Sequence, residues 1–569
     1  MYRNSHMALR IMALILPALC LLKPASVSGQ TLSVLPDSLA GKVDAIFDQW
    51  NKPSSPGCVI GIVRNDSVIY AKGYGLSNIE YDITNTPGTI YHMASVSKQF
   101  TAYAIVLLAR QGKIGLDEDI RKYLPWFPDL KSSITVRQLL NHTSGIRDQW
   151  QLLAISGTRI DDVIKQEHIV KILQKQRALN FRPGEQYSYS NSGYTMLAEI
   201  IRSVTGQSLR QFTDSAIFRP LGMKNTHFHD DYTEVVKNRS YSYYSGSKGF
   251  SNSILSYSNA GATSLFTNVS DMAKWIANFY MHRVGEAEDI QTLTEKGKLN
   301  NGKTIDYALG IVVNNFKGWK QYTHNGADAG YRTAVASFPE LKMGFILFSN
   351  LGDFNMGKFY EMAGLFIKEK TISRVPVNKR VVPDTSNAVL KDIPAIKRFL
   401  GDYLADDGAQ YHFRITGQKL YGERQGRTEL LLKLKKDTFQ TASEPDLKFI
   451  FSVTRTGDTI VRECWPGGQI FKKYTLDFHP TDKQLQAYAG TYYSPELDCK
   501  YGIALKGHEL VLTNVKYDDT PIKFTGEDHL RTAFWWMAHL KVLRNNTNQI
   551  TGFEVNDGRV MHLLFNKID

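Results

Sequence analysis

Cysteine is scarce, at four in 569 residues, and no two are arranged as C-x-x-C. That pattern excludes a disulfide-stapled scaffold and a zinc ribbon. Cys20 lies in an N-terminal apolar run, and of Cys58, Cys464 and Cys499 only a Cys464–Cys499 bridge is left open, for an oxidising compartment. Long apolar runs are also missing. IMALILPALCLL, residues 11–22, is the most apolar stretch, well short of the roughly 20 residues that span a bilayer. Charge runs are absent too. The net charge of +13 is spread along the chain, which argues against a nucleic-acid footprint and leaves a general attraction to acidic polymers or membrane surfaces. Glycine-rich phosphate loops do not occur between a strand and a helix, so no nucleotide cofactor, and no other cofactor, is expected. What is present is an ordinary globular composition, 43% apolar and 22% charged, long enough at roughly 100–200 residues per domain for several domains.

The N-terminus has the layout of a secretory signal over residues 1–29. Arg3 and Arg10 precede the apolar run, and small residues follow in PASVSGQ. The expected location is therefore secreted, in the periplasm, with a retained N-terminal anchor as the alternative. Leu19, bulky and just before Cys20, argues against lipid attachment there.

Residues 30–372 alternate helical and strand patterns. GCVIGIVRN and SVIYAKGYGLSN read as strands around an Asn65-Asp66 turn. A helix-rich middle follows, with TVRQLLNH, DDVIKQEHIVKILQKQR, SGYTMLAEIIRSVTG and VSDMAKWIANFYM. Strands return in YALGIVVNN, KQYTHNG, YRTAVASFP and MGFILFSN, and NMGKFYEMAGLFIKE closes the unit. Strands at both ends with helices between them predict an α+β unit, an antiparallel sheet flanked by helices plus a helical subdomain. Residues 373–395, with Pro376, Pro383 and Pro394, read as a linker. Beyond it the pattern is strands, and it repeats. Gly401 and Gly490, Gly417 and Gly507, and Gly468 and Gly558 recur at a near-constant offset. Two small lipocalin-like β-barrels are expected, over 396–480 and 481–569.

ASVSKQFTA places Ser95 three residues before Lys98. Phe100, Ala104, Leu107 and Leu108 continue as one helical face. Both side chains then lie over the same turn. Burial and the positive helix end lower a lysine pKa, so that the amine can take the serine proton. Ser-x-x-Lys also arises by chance, and Ser245 to Lys248 in SYYSGSKG is a second case.

Together with its surroundings, this motif resembles the penicillin-recognising serine hydrolases: penicillin-binding proteins, class A and class C β-lactamases, and D-aminopeptidases. The likeness is nearest to the class C-like branch and covers about residues 40–372. LLNHTSGI, IFRPLGMKNT and LFTNVSDMAKW match landmarks of that family. Tyr189-Ser190-Asn191 matches its Tyr-x-Asn element, and His324-Asn325-Gly326 its third element. The resemblance implies that Ser95 forms an acyl-enzyme, Lys98 is its base, and Tyr189 relays the proton. Asn191 would position substrate and Lys98, with His324 and Asn325 in the binding cleft. Gly326 would let a ligand approach, and the N–H groups of Ser95 and Ala327 would form the oxyanion hole. Tyr257-Ser258-Asn259 is a decoy that follows the PLGM landmark. Many relatives carry Lys-Thr-Gly where this chain has His-Asn-Gly. Histidine there is similar to the D-aminopeptidase and esterase branches, and as a carboxylate anchor it would make KM rise above its pKa. The D-aminopeptidase type also has two barrels, one of which sends a loop to the cleft. Here YDDTPIKF or GEDHLRTAFWWM would supply it, unless the barrels only pack or bind cell wall.

The expected activity is hydrolysis of an amide or ester, in a D-amino-acid peptide or cell-wall-related compound. The partners would be small-molecule or peptide substrates, peptidoglycan fragments among them, with no nucleic acid and no membrane span. A class C-like β-lactamase or esterase is one alternative, and a non-enzymatic sensor of peptidoglycan or β-lactams is another. HFHDDY reads as His-x-His-x-Asp, as in dimetal hydrolases, but ends in Tyr232. Two surface histidines and no metal is the simpler account. Trp535 and Trp536 read as barrel core or rim.

Overall fold

Both faces of the central strands are apolar. In Cys58–Arg64 (β1) everything before Arg64 is buried, and the pleat divides these residues between two cores. Ile60 and Ile62 face one cluster with Val43 and Phe47 of the helix Asp37–Phe47 (α1). Val59 and Val63 face the other, with Trp275 and Ile276. The protein is described here from a computed structural model, over residues 32–370, 388–390, 392–405, 408–424, 427–442, 447–464, 469–474 and 478–569. The expected signal segment and most of the expected linker lie outside these residues.

Asn65 takes a φ of 57°, a left-handed conformation that asparagine tolerates, and turns β1 back into Ser67–Tyr74 (β2). The sheet is seven-stranded, and every pairing in it is antiparallel. Its order is Leu32–Ser33, β2, β1, Met343–Ser349, Tyr331–Phe338, Trp319–Asp328 and Val312–Phe316. Helices α1 and Gly357–Phe366 cover one face, and Val269–Met281 covers the other. Lys98–Arg110 (α2) is buried on nearly every side and packs against Asn191–Thr205 (α3) of the helical subdomain. The middle helix begins later than its sequence pattern, at Gln166, because Ile164–Lys165 pairs in parallel with Tyr257–Ser258.

The C-terminal region forms two antiparallel barrels. The first is closed, eight strands from Gly401–Ala405 to Ile470–Tyr474 around Tyr403, Phe413, Phe439 and Phe451. Leu390 and Ile396 already belong to its core. The second is nearly closed, nine strands from Gly490–Ser494 to Val560–Lys567, with Tyr517–Pro521 and Lys523–Gly526 at its ends. Gly417 (φ 54°) and Gly507 (φ 62°) occupy equivalent left-handed turns, which is what the sequence repeat marks. The Cys464–Cys499 bridge is not formed: both thiols are free, on strands of different barrels.

The second barrel shares its hydrophobic core with the helical subdomain. Arg147, fully buried, donates from Nη1 to both carboxylate oxygens of Glu496 at 2.7 Å, and from Nη2 to the carbonyls of Met561 and His562. A buried guanidinium needs such complete pairing to offset lost hydration. No helix among the described residues is long and apolar enough to cross a membrane.

Candidate active site

The chain enters the cleft through a strained turn. Ala94 takes a φ of 48°, and a short 3-10 turn, Ala94–Ser97, precedes the α-helix proper at Lys98. Ser95 therefore sits one element earlier than the helix start expected for it. Across the gap runs Trp319–Asp328. A Cβ added to Gly326 would fall 2.4 Å from the Met93 carbonyl oxygen and 2.3 Å from Thr333 Oγ1, so the strand comes this close to the turn only with glycine there.

Of the eight residues singled out in the sequence, Ser95, Tyr189, Asn191, His324, Asn325, Gly326 and Ala327 line one cavity of about 520 Å³. Lys98 stands behind it, fully buried. Its Nζ lies 3.2 Å from Ser95 Oγ, 2.9 Å from Asn191 Oδ1 and 2.7 Å from the Ala262 carbonyl oxygen. Burial pushes the Lys98 pKa down to about 7, and the Arg559 charge adds to this, while Asp148 and Asp328 oppose it.

Asn191 is oriented in turn. Its backbone N–H and its Nδ2 both donate to Asp148 Oδ2 at 2.8 Å. Because a carboxylate only accepts, the asparagine must turn Oδ1 toward Lys98. Tyr189 stands over Lys98, whose Nζ is 4.9 Å from its ring centre. Burial raises the Tyr189 pKa, partly relieved by Ser95 and Arg559. Its hydroxyl is buried without a well-formed hydrogen bond. His142, from the LLNHTSGI landmark, packs on Tyr189 with ring centres 4.1 Å apart and accepts from the Ser190 N–H. Burial and the Lys98 charge hold it neutral.

His324 lines the cavity with both ring nitrogens engaged. Nδ1 lies 2.6 Å from the Asn325 carbonyl oxygen, and Nε2 lies 2.9 Å from Tyr307 Oη. A carbonyl only accepts, so Nδ1 carries the proton and Nε2 accepts from the tyrosine. Burial, with the Lys98 charge, drives the His324 pKa down to about 3. It is a neutral residue of the cavity wall, and anchoring a carboxylate, the role weighed for it in the sequence, would need a charge that this environment disfavours.

Two guanidinium groups line the cleft, Arg332 and Arg559, and no sequence motif indicated Arg559. It sits between Ile550–Asp557 and Val560–Lys567 of the second barrel. Its guanidinium lies 4.8 Å from the Tyr189 ring centre and 3.7 Å from Asp148 Oδ2, and it lines the cavity. Its backbone is pinned: the N–H donates to Gln151 Oε1, and the carbonyl accepts from Asn180 Nδ2. A barrel segment does reach the cleft, but it is neither of the two expected. Tyr517 instead bonds the Ala154 and Thr158 carbonyls, and the Trp536 carbonyl accepts from Gln151. Trp536 is partly buried against the shared core, and Trp535 is exposed.

The decoys separate in space. Ser245 lies in an exposed hairpin. Tyr257 stacks on Trp150 in an adjoining cavity of about 530 Å³ that shares Ala327, Asp328 and Arg332 with the first. The HFHDDY histidines are not surface residues: His229 is 2% exposed and His227 partly buried.

The family model described as Beta-lactamase matches residues 43–361. A penicillin-binding protein of Bacillus subtilis (strain 168) is 27% identical over 391 residues, 66% of this chain and 85% of that one. The D-aminopeptidase of Brucella anthropi is 27% identical over 282 residues, 49% of this chain and 52% of the enzyme, so the match spans about half its length. Among solved structures, an octameric penicillin-binding protein homologue from Pyrococcus abyssi superposes with a TM-score of 0.52 at 24% identity, covering 77% of this chain and 99% of that one.

Proposed function

From the premise that the chain belongs to the Beta-lactamase family of serine hydrolases, we propose that it hydrolyses an amide or ester bond of a D-amino-acid peptide or related cell-wall compound. The reaction runs through an acyl-enzyme on Ser95. The observation that carries this reading is the state of Lys98, a buried amine 3.2 Å from Ser95 Oγ with a pKa of about 7. Its hydrogens are engaged by two oxygens that only accept, Asn191 Oδ1 and the Ala262 carbonyl. Once the ammonium, which donates to Ser95 Oγ, has lost that proton, its lone pair is left for the serine hydroxyl.

Ser95 Oγ adds to the acyl carbon while its proton passes to Lys98 Nζ. The N–H groups of Ser95 and Ala327, which share the cavity wall, receive the oxyanion. Tyr189, neutral because burial raises its pKa, passes the proton from Lys98 to the leaving group. The ester on Ser95 is then hydrolysed by water activated along the same path. Arg559 supports a substrate with a carboxylate near the scissile bond, as at a peptide C-terminus. The resemblance of residues 1–29 to a signal supports export to the periplasm; the N-terminal sequence of the protein recovered from that compartment tests it.

The test of the chemistry is intact mass during incubation with a penicillin and with D-aminoacyl amides, for wild type and Ser95→Ala. An adduct or turnover that vanishes in Ser95→Ala, with its circular dichroism unchanged, is the expected result. Turnover retained by Ser95→Ala would remove the assignment. A stable adduct without turnover on any amide or ester would favour a sensor.

A further inference from the structure

His227 and His229 stand two apart on an extended segment, so their side chains share one face. His227 pairs with Phe266 in a three-stranded sheet of Tyr91–His92, Leu265–Thr267 and His227–Phe228, and the His229 N–H donates to the Ser264 carbonyl at 2.8 Å. Both rings pack on Phe266, with centres 5.8 and 4.6 Å from it. The third member of the cluster is Glu234. Its Oε2 lies 3.5 Å from His229 Nδ1 and 3.9 Å from His227 Nε2. One donor atom from each of the three residues lies within 4.8 Å of the others. The Asp231 expected from the His-x-His-x-Asp reading is not a member; its carboxylate accepts from the Thr233 N–H and hydroxyl.

Two features point to a ligand. Both ring nitrogens of His229, and Nε2 of His227, are buried without a hydrogen bond, a rare and costly state for a polar atom. Glu234 is also held in place from behind. Arg210 Nη1 donates to Oε2 at 2.6 Å and Nη2 to Oε1 at 2.8 Å, and Arg210 is itself paired with Asp230 at 3.0 Å. A carboxylate oxygen has two lone pairs, so Oε2 keeps one for the space between the imidazoles. Such outer partners orient metal-ligating groups.

We propose that His227, His229 and Glu234 bind one divalent cation of the zinc type, with water as the fourth ligand. Tetrahedral zinc with bonds of about 2.0–2.1 Å places its ligands roughly 3.3 Å apart, closer than the 3.5 and 3.9 Å from Glu234 to the imidazoles and than the 4.8 Å that bounds the whole set, so the side chains close in on the ion. Two imidazole nitrogens and a single carboxylate are not the all-oxygen donor set that calcium or magnesium requires. Directed nitrogen donors suit zinc, cobalt(II) or nickel(II). The ion clasps residues 227–234 onto the sheet whose Tyr91–His92 strand leads into the Ser95 turn. The site is independent of the serine chemistry.

The test is titration of the chelator-treated full chain with Co²⁺ and Zn²⁺, read by the tetrahedral Co²⁺ visible spectrum and by the melting midpoint. One equivalent of Co²⁺ with tetrahedral bands, displaced by Zn²⁺, and a Zn²⁺-dependent rise in midpoint are expected. His227→Gln, at the partly exposed position, should lose the bands and the rise, as should Glu234→Gln. Absence of Co²⁺ binding by the wild type would overturn the site. So would unchanged spectra in both variants, or a preference for Ca²⁺ over Zn²⁺.

Discussion

A lysine ammonium has no lone pair, so Lys98 is a base only in the fraction that has lost its proton. With a pKa near 7 that fraction falls tenfold for each pH unit below about 7. The expected profile of kcat/KM on a neutral ester therefore has an acid limb centred near pH 7 and a plateau above it. Activity that stays flat down to pH 5 would mean that another group takes the serine proton. His324 gives the opposite expectation. Its pKa of about 3 keeps it uncharged from pH 5 to 9, so KM for a carboxylate-bearing substrate should not change through its titration over that range. A tenfold rise in KM between pH 6 and 8, abolished in His324→Asn, would restore the anchoring role. Ser95 and Lys98 were legible in the sequence because Ser-x-x-Lys puts both side chains over one helical turn, whereas Tyr189 and Asn191 were legible only through the resemblance to the family's Tyr-x-Asn element. The state of His324 was not legible, since it depends on Tyr307 and on burial, which no local pattern reports.

The turn that carries Arg559 is a connection two residues long, Gly558 and Arg559, between Ile550–Asp557 and Val560–Lys567. Gly558 takes a φ of 58°, so the sequence NDGRV reads as an ordinary hairpin turn. Its place at the cleft comes from where the barrel docks, through Gln151, Asn180 and Arg147. Asp148 was hidden in the same way: it caps the helix Gln149–Ile155, which looks like sufficient reason for an aspartate. Replacing Arg559 by alanine should raise KM for substrates with a free carboxylate about 10- to 100-fold, the range of a charge-assisted hydrogen bond. KM for neutral amides and esters should hardly change. The nearby guanidinium also helps depress Lys98, so the acid limb should move to higher pH in this variant. A limb that stays in place while KM rises would separate substrate recognition from control of the base, and equal losses on neutral and charged substrates would remove Arg559 from recognition.

The two barrels are repeats of one another in sequence yet hold different positions in the molecule. The first has a core of its own, from Leu390 to Phe471, and meets the second through contacts such as Arg531 to Gln410. The second continues the hydrophobic core of the helical subdomain and is locked by the buried Arg147–Glu496 pair. The sequence repeat disclosed that both exist, because turn glycines recur at fixed spacing. It could not disclose which one docks, because docking surfaces are built from residues far apart in the chain. Cooperative units follow contiguous cores rather than sequence repeats. The second barrel should therefore unfold together with the catalytic domain, and the first as a separate unit. A reagent that acylates Ser95 binds only the folded catalytic domain and should raise that transition alone. Hydrogen exchange with and without the reagent checks this peptide by peptide. Segments from Val560–Lys567 should gain protection together with those from Asn191–Thr205, while segments between Gly401 and Tyr474 keep their rates. If both barrels gained protection equally, the whole chain would be one cooperative unit. If Val560–Lys567 instead followed the first barrel, the second barrel would be uncoupled from the site, and Arg559 would be a visitor to the cleft rather than part of its wall.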